Sequence, residues 1–174
     1  MNRQVILSAR MQAVADLVTA GNRVCDVGCD HGYISIYLVQ SRKAPCVLAM
    51  DVNRGPLQRA SEHVKAAGLE KYITLRLSDG LLAFRKGEAD TLVCAGMGGR
   101  LMQRILEREP DKTFSFRELI LQPQSEIGTF RRFLEKMGYS IEDEDMILEE
   151  GKFYPVIRAV RGKAERPMTQ VQAR

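Results

Sequence analysis

Five short stretches of this 174-residue chain place acids, glycines or an amide where an apolar run ends: Asp26-Val27-Gly28-Cys29-Asp30-His31-Gly32, Asp51, Asp79-Gly80, Ala95-Gly96-Met97-Gly98-Gly99 and Gln122-Pro123. Glycine at such points lets a strand turn sharply into a helix and lets a ligand approach the backbone. The first stretch is not the G-x-G-x-x-G dinucleotide fingerprint, because Asp30 stands at the second glycine and nothing matches the third. An acid there would repel a pyrophosphate resting on a helix N-terminus. A phosphate-free cation suits these carboxylates better, and S-adenosylmethionine, a sulfonium with an α-amino group, is such a ligand. Asp51 follows Gly28 by 23 residues, where an acid accepts both ribose hydroxyls in NAD and S-adenosylmethionine sites alike. Asp79 with Gly80 offers an adenine edge a carboxylate and a backbone N–H. Together the spaced acids favour the methyl donor over NAD.

The elements that must position these residues alternate. Apolar residues from Val5 to Val18 recur at helical spacing, and Gly21 and Asn22 stop them. Val24–Val27, Cys46–Asp51, Tyr72–Leu77, Asp90–Ala95 and Glu118–Gln122 read as strands, the last broken by Pro123. Helices are expected over 33–40, over 54–67 with Asn53 as cap and Gly68 as stop, from Gly99 through Arg108, and over about 125–137. Tyr139–Leu148 and Phe153–Val160, joined through Gly151, read as an antiparallel pair. The expected fold is α/β: a doubly wound, mostly parallel seven-stranded Rossmann-like sheet with this antiparallel pair at its C-terminal end. Ligands of such sheets sit outside the carboxyl ends of the strands, where strand order reverses, so the five stretches form one constellation.

The motifs resemble the bacterial tRNA (adenine-22-N1)-methyltransferase family. The resemblance rests on Leu7-Ser8-Ala9-Arg10-Met11, Asp26 to Tyr33, Asn53 to Leu57, Ser78 to Leu81, Ala95 to Gly99 and Leu121-Gln122-Pro123-Gln124, six elements in register from about Leu7 to Val160. It implies a class I S-adenosylmethionine-dependent methyltransferase acting on an adenine in the D-arm region of tRNA. Asp26, Gly28 and Asp30 would line the methionine end of the donor, Asp51 the ribose, and Asp79 with Gly80 the adenine. Ala95, Gly96 and Met97 would sit beside the methyl group and the entering base. Arg10, His31 and Val52 complete the expected cofactor set. Family members continue into a helical C-terminal domain; residues 1–162 are expected to be the methyltransferase domain and 163–174 a basic tail that starts the next.

Methyl transfer to an adenine ring nitrogen needs no general base at the outset, because the nitrogen already owns a lone pair. Asp30 is the candidate to stabilise the positive charge that the product gains, with Gln122 and the Met97 backbone as readers of the base edge. His31 either contacts substrate or hydrogen-bonds its own turn. The Ala95-Gly96-Met97-Gly98 edge lacks the Asn/Asp-Pro-Pro-aromatic run used for exocyclic amines. Cys94 lies in an apolar run without a cationic neighbour and reads as core rather than nucleophile. Phosphate contacts fall to Arg100 and Arg104, with Arg108 continuing their four-residue spacing, to Arg10, whose second role would be the donor carboxylate, and to the basic stretch Arg158, Arg161, Lys163 and Arg166.

Lys and Arg number 26 against 22 Asp and Glu, a net charge of +4 that alone names no partner. No run approaches the roughly 18 apolar residues of a membrane helix, and no secretion signal opens the chain, so a cytoplasmic protein without membrane partner is expected. Cys25, Cys29, Cys46 and Cys94 form no C-x-x-C pair, and the histidines are His31 and His63 alone, so no metal is expected. The expected partner is tRNA and the expected state a monomer. Two alternatives stay open: a donor-binding interaction module with little activity alone, and a small-molecule methyltransferase.

Overall fold

The computed structural model describes residues 3–162. Buried apolar strands alternate with helices in the order α1 (Ala9–Leu17), β1 (Val24–Val27), α2 (Tyr33–Gln40), β2 (Val47–Asp51), α3 (Arg54–Ala66), β3 (Ile73–Leu77), β4 (Thr91–Met97), α4 (Gly99–Arg108), α5 (Pro110–Phe114), β5 (Glu118–Pro123), α6 (Ile127–Lys136), β6 (Tyr139–Glu149) and β7 (Lys152–Arg161). They form one seven-stranded sheet of order β3-β2-β1-β4-β5-β7-β6, parallel through β5, with β7 antiparallel to both β5 and β6. Strand order reverses between β1 and β4, which opens a crevice beyond their carboxyl ends.

Every residue of β1, β2 and β5 is buried, as expected of parallel strands covered on both faces. One face packs against α1, α2 and α3 through Val14, Ile36, Leu38, Ala60 and Val64. The other packs against α4 and α6 through Met102, Leu106, Phe130 and Leu134, with Phe84 and Phe116 stacked at 4.7 Å beneath the β3–β4 connection. Below the sheet, the buried Glu118 carboxylate accepts from the Thr19 amide (2.7 Å) and hydroxyl (2.8 Å), Thr91 Oγ1 (2.8 Å) and Arg158 Nε (2.6 Å). Burial would raise this carboxyl, yet these donors together hold it below its ordinary value.

Three expectations change. The first helix begins at Ala9, capped by Ser8 Oγ on the Met11 amide (3.3 Å), and Ile6 is 95% exposed, so Val5 to Leu7 are not helical. Asn53 gives α3 no side-chain cap. A short helix, α5, starts at Pro110 in a stretch that had no assigned element.

Candidate functional site

The acids gather at the crevice because β1 and β2 end side by side. Gly28 (φ 75°), Asp30 (φ 51°) and Gly32 (φ 81°) all adopt left-handed backbone, which folds the β1–α2 loop back over the strand ends. Gly28 N and Cys29 N donate to the Met50 carbonyl at 2.8 and 3.0 Å. The Asp51 carboxylate accepts from Asp30 N (3.0 Å) and Asn53 N (2.9 Å), so it fixes the turns after β1 and β2 and keeps one lone pair on each oxygen. Val52, beside Asp51, is 57% exposed.

Asp26 is buried and takes a 2.8 Å hydrogen bond from Ser35 Oγ of α2. Burial raises its pKa from 3.8 to about 6, the Asp51 and Asp30 charges add to the rise, and the Ser35 bond opposes it. Among the described residues, the only basic group paired with this acid trio is the His31 ring, whose Nε2 lies 3.8 Å from Asp30 Oδ1. The His31 carbonyl accepts from His63 Nδ1 at 2.8 Å, which ties the β1–α2 loop to α3. Three carboxylates, one in a low dielectric, thus converge without a compensating Lys or Arg. That donor set fits a cationic ligand carrying a ribose diol, and it suits S-adenosylmethionine.

The other side of the crevice is shaped by β4. Its register with β5 slips between Ala95 and Met97, and Gly96 sits in the bulge at φ 80°. Met97 reaches back across the strand-order reversal: its methyl group occupies the space that a Cβ at Gly28 would need, and its sulfur lies 3.7 Å from Cys94 Sγ. Cys94 is fully buried, and burial, aided by the Asp26 charge, pushes its thiol up to about 12, so a thiolate nucleophile is excluded. Gly99 is demanded by packing: a Cβ there would stand 2.5 Å from the Ser125 carbonyl oxygen, which accepts from Gly99 N at 3.0 Å.

Several expected contacts are placed differently. Gln122 is completely buried, its Oε1 accepting from Gly96 N (3.1 Å) and Arg10 Nη1 (3.0 Å) and its Nε2 donating to the Pro123 carbonyl (3.2 Å). Its oxygen thus supports the bulged β4 edge from within the sheet. Arg10 also meets Glu149 Oε2 (3.4 Å) and lies over the Tyr154 ring (5.3 Å). Arg108 pairs with Asp79 (3.1 Å), the acid expected to receive the adenine amine, while Ile105 packs against Gly80 and Lys112 Nζ caps the Leu81 and Leu82 carbonyls (3.1 and 2.7 Å). Arg100, its side chain 77% exposed, pairs with Glu126 (3.2 Å), and Arg104 is exposed on the same helix.

Arg161 and Arg158 do not reach this face. Because β7 runs antiparallel, Val160 pairs with Glu118 at the amino end of β5, so both arginines lie at the edge opposite the crevice. Arg158 serves the Glu118 cluster, and Arg161 stacks over Phe114 at 4.9 Å. Lys163 and Arg166 lie outside the described residues. Ser35, Lys112, Glu149 and Tyr154 were not singled out from sequence; only Ser35 left a signal, as a polar residue within the apolar run 33–39.

Among the described residues no helix is long and apolar enough to cross a membrane, and no three His, Cys, Asp or Glu side chains are grouped to hold a metal ion. The family description "Methyltransferase domain" matches residues 7–157. A Bacillus subtilis protein named tRNA (adenine(22)-N(1))-methyltransferase is 40% identical over 90% of this chain and 66% of its own length. A Streptococcus pneumoniae structure in complex with S-adenosyl-L-methionine is 36% identical with TM-score 0.89, covering 97% of this chain and 78% of that one. A Mycoplasma capricolum TrmK structure with S-adenosyl-homocysteine is 28% identical with TM-score 0.84, covering 96% and 74%. The chain thus spans about two thirds to three quarters of the length of these relatives. With the β3-β2-β1-β4-β5-β7-β6 sheet and the acid-lined crevice, these matches establish that the chain belongs to the methyltransferase-domain family, among the relatives of the tRNA (adenine(22)-N(1))-methyltransferases.

Proposed function

We propose that the chain transfers a methyl group from S-adenosylmethionine to ring nitrogen 1 of the adenine at tRNA position 22, in the cytoplasm. The observation that carries this reading is the acid trio Asp26, Asp30 and Asp51, which lies beside the bulged Ala95-Gly96-Met97 edge with no Lys or Arg partner among the described residues. The 40% identity to the Bacillus subtilis enzyme supports the choice of substrate.

When bound, S-adenosylmethionine supplies an electrophilic methyl group on a sulfonium, transferable to a ring-nitrogen lone pair as a neutral thioether departs. The chain's own residues bind, orient and screen. Asp26 and Asp30 hold the ammonium end, Asp51 accepts the ribose diol through its remaining lone pairs, with Val52 against the nucleoside, and Asp79 with Gly80 receives the adenine edge. Asp79 already shares its charge with Arg108, so that contact is adjustable where the Asp51 contact is rigid. No residue has to remove a proton before attack, which agrees with a methyl edge built of Ala95, Gly96 and Met97 alone. Asp30, exposed at the loop, stabilises the cationic product ring.

A stem adenine must leave its stack at a cost of roughly a few kcal/mol, and contacts to the backbone offset it. Arg100 and Arg104 on α4 provide such contacts on the crevice side. Residues 1–162 form the donor-binding domain in this reading. Incubation with labelled donor and unmodified bacterial tRNA, followed by nucleoside digestion, is expected to yield 1-methyladenosine. Label confined to small molecules, or donor bound less tightly than NAD in calorimetry, would overturn the assignment.

A further inference from the structure

We infer that Arg10 is a positioning residue for methyl transfer: acting through Gln122, it holds the β4 bulge that presents Ala95-Gly96-Met97 to the entering base. The inference rests on the methyltransferase reading above and assigns Arg10 a role other than donor ligand.

The bulge removes Gly96 from the β4–β5 ladder, which pairs Ala95 with Gln122 and Met97 with Pro123 and leaves Gly96 unpaired. A main-chain N–H displaced in this way needs a replacement acceptor. Gln122 Oε1 supplies it at 3.1 Å, and the same oxygen accepts from Arg10 Nη1 at 3.0 Å. The amide is fully buried and its nitrogen is committed to the Pro123 carbonyl, so it has no freedom to flip. A guanidinium on the shared oxygen polarises the amide and fixes its plane, a charge-assisted contact stronger than a neutral one.

Arg10 is itself braced from a different element. Its Nε meets Glu149 Oε2 at 3.4 Å and its guanidinium lies 5.3 Å from the centroid of the Tyr154 ring, both on the β6–β7 hairpin that overhangs the carboxyl edge of the sheet. The chain of contacts therefore runs from hairpin to Arg10 to Gln122 to Gly96. Arg10 Nη1 also stands 3.6 Å from where a Cβ at position 96 would project, so it lies directly against the bulge. With these partners engaged, its charge is spent on holding the edge in place.

The test compares Arg10→Met, which keeps the apolar stem, with Gln122→Leu and Gln122→Glu. Arg10→Met is expected to lower kcat by about thirtyfold or more while the Kd for S-adenosylmethionine and the KM for tRNA stay within about threefold. Gln122→Leu should match it, and Gln122→Glu, which keeps an acceptor for Gly96 N and Arg10 but loses the donor to the Pro123 carbonyl, should fall between Gln122→Leu and wild type. The double variant Arg10→Met/Gln122→Leu should be no slower than either single variant, because one chain of contacts is cut twice. Independently of substrate, Arg10→Met should speed hydrogen exchange at the Gly96 amide by about tenfold, with β1 amides unchanged. A weakened donor Kd with unchanged kcat would overturn the inference and make Arg10 a donor ligand; unchanged Gly96 exchange would overturn it whatever the kinetics. Thermal melts identify any variant that fails to fold, in which case Glu149→Gln, which loosens the brace without touching the core, replaces it. Wild-type protein that transfers no methyl to tRNA would sink the functional reading instead, and the exchange measurement would still decide the role of Arg10.

Discussion

Replacing Asp26 by Asn should stabilise the fold and impair donor binding at the same time. Asp26 is buried, and its pKa of about 6 in the folded chain against an ordinary 3.8 means that roughly two units separate the folded and unfolded forms. At 1.36 kcal/mol per unit, holding this carboxylate ionised costs the native state about 3 kcal/mol at neutral pH. Asn removes the charge, keeps an oxygen to accept from Ser35 Oγ, and changes the volume little. The folded-state pKa is the higher one, so the native wild type binds the extra proton between about pH 4 and 6. Wild-type stability from this group is therefore greatest below that window and falls as pH rises through it. Urea denaturation should show Asp26→Asn more stable by about 3 kcal/mol at pH 7.5, with the gap shrinking through pH 6 and closing near pH 4. Donor affinity, measured by calorimetry at pH 7.5, should drop by about tenfold or more, the worth of a charge-assisted contact. A variant less stable than wild type at pH 7.5, or one that binds donor as tightly, would refute the reasoning.

Gly99→Ala forces a Cβ to within 2.5 Å of the Ser125 backbone oxygen, which only a shift of α4 or the β5–α6 loop relieves, so a loss of about 2 kcal/mol is expected in a thermal melt. Glu118→Ala strands Arg158 and the Thr19 amide and should cost about 3 kcal/mol by chemical denaturation. The folded pKa of Glu118 is depressed, so its contribution is present above its ordinary value of 4.5 and lost as pH falls below it; the variant should accordingly converge on wild type in acid. Arg100→Ala should weaken tRNA binding and lower the slope of log affinity against log salt by about one, leaving donor affinity intact, as a filter-binding salt series would show.

What was legible in the sequence follows from where the controlling contacts lie. Strands β1, β2 and β5 are buried on both faces, so they appear as short, mainly apolar runs whose ends mark the crevice. The acids at those ends were readable because a carboxylate stands out against the apolar residues around it. The start of α1 was not, because Val5 and Leu7 share helical spacing with the apolar residues that follow, while Ser8 is the true cap. The role of Gln122 depends on Gly96 and Arg10, which are 26 and 112 residues away, and no local pattern reports such a contact. The distance of Arg161 from the crevice was not legible either, for a topological reason: the antiparallel strand β7 carries its final residues to the amino edge of the parallel set. Lys112 escaped notice because α5 offers five residues and no periodic face.

The position and atom of methylation bear most directly on the proposed activity. Two unmodified tRNA transcripts, one with adenine at position 22 and one with guanine there, can be incubated with the protein and S-adenosylmethionine and then read by reverse transcription, which halts where adenine nitrogen 1 is methylated. Methyl transfer as proposed gives a halt at position 22 in the adenine transcript and none in the guanine transcript. A halt at another adenine, methylation of the exocyclic amine, or no incorporation into either transcript would contradict it.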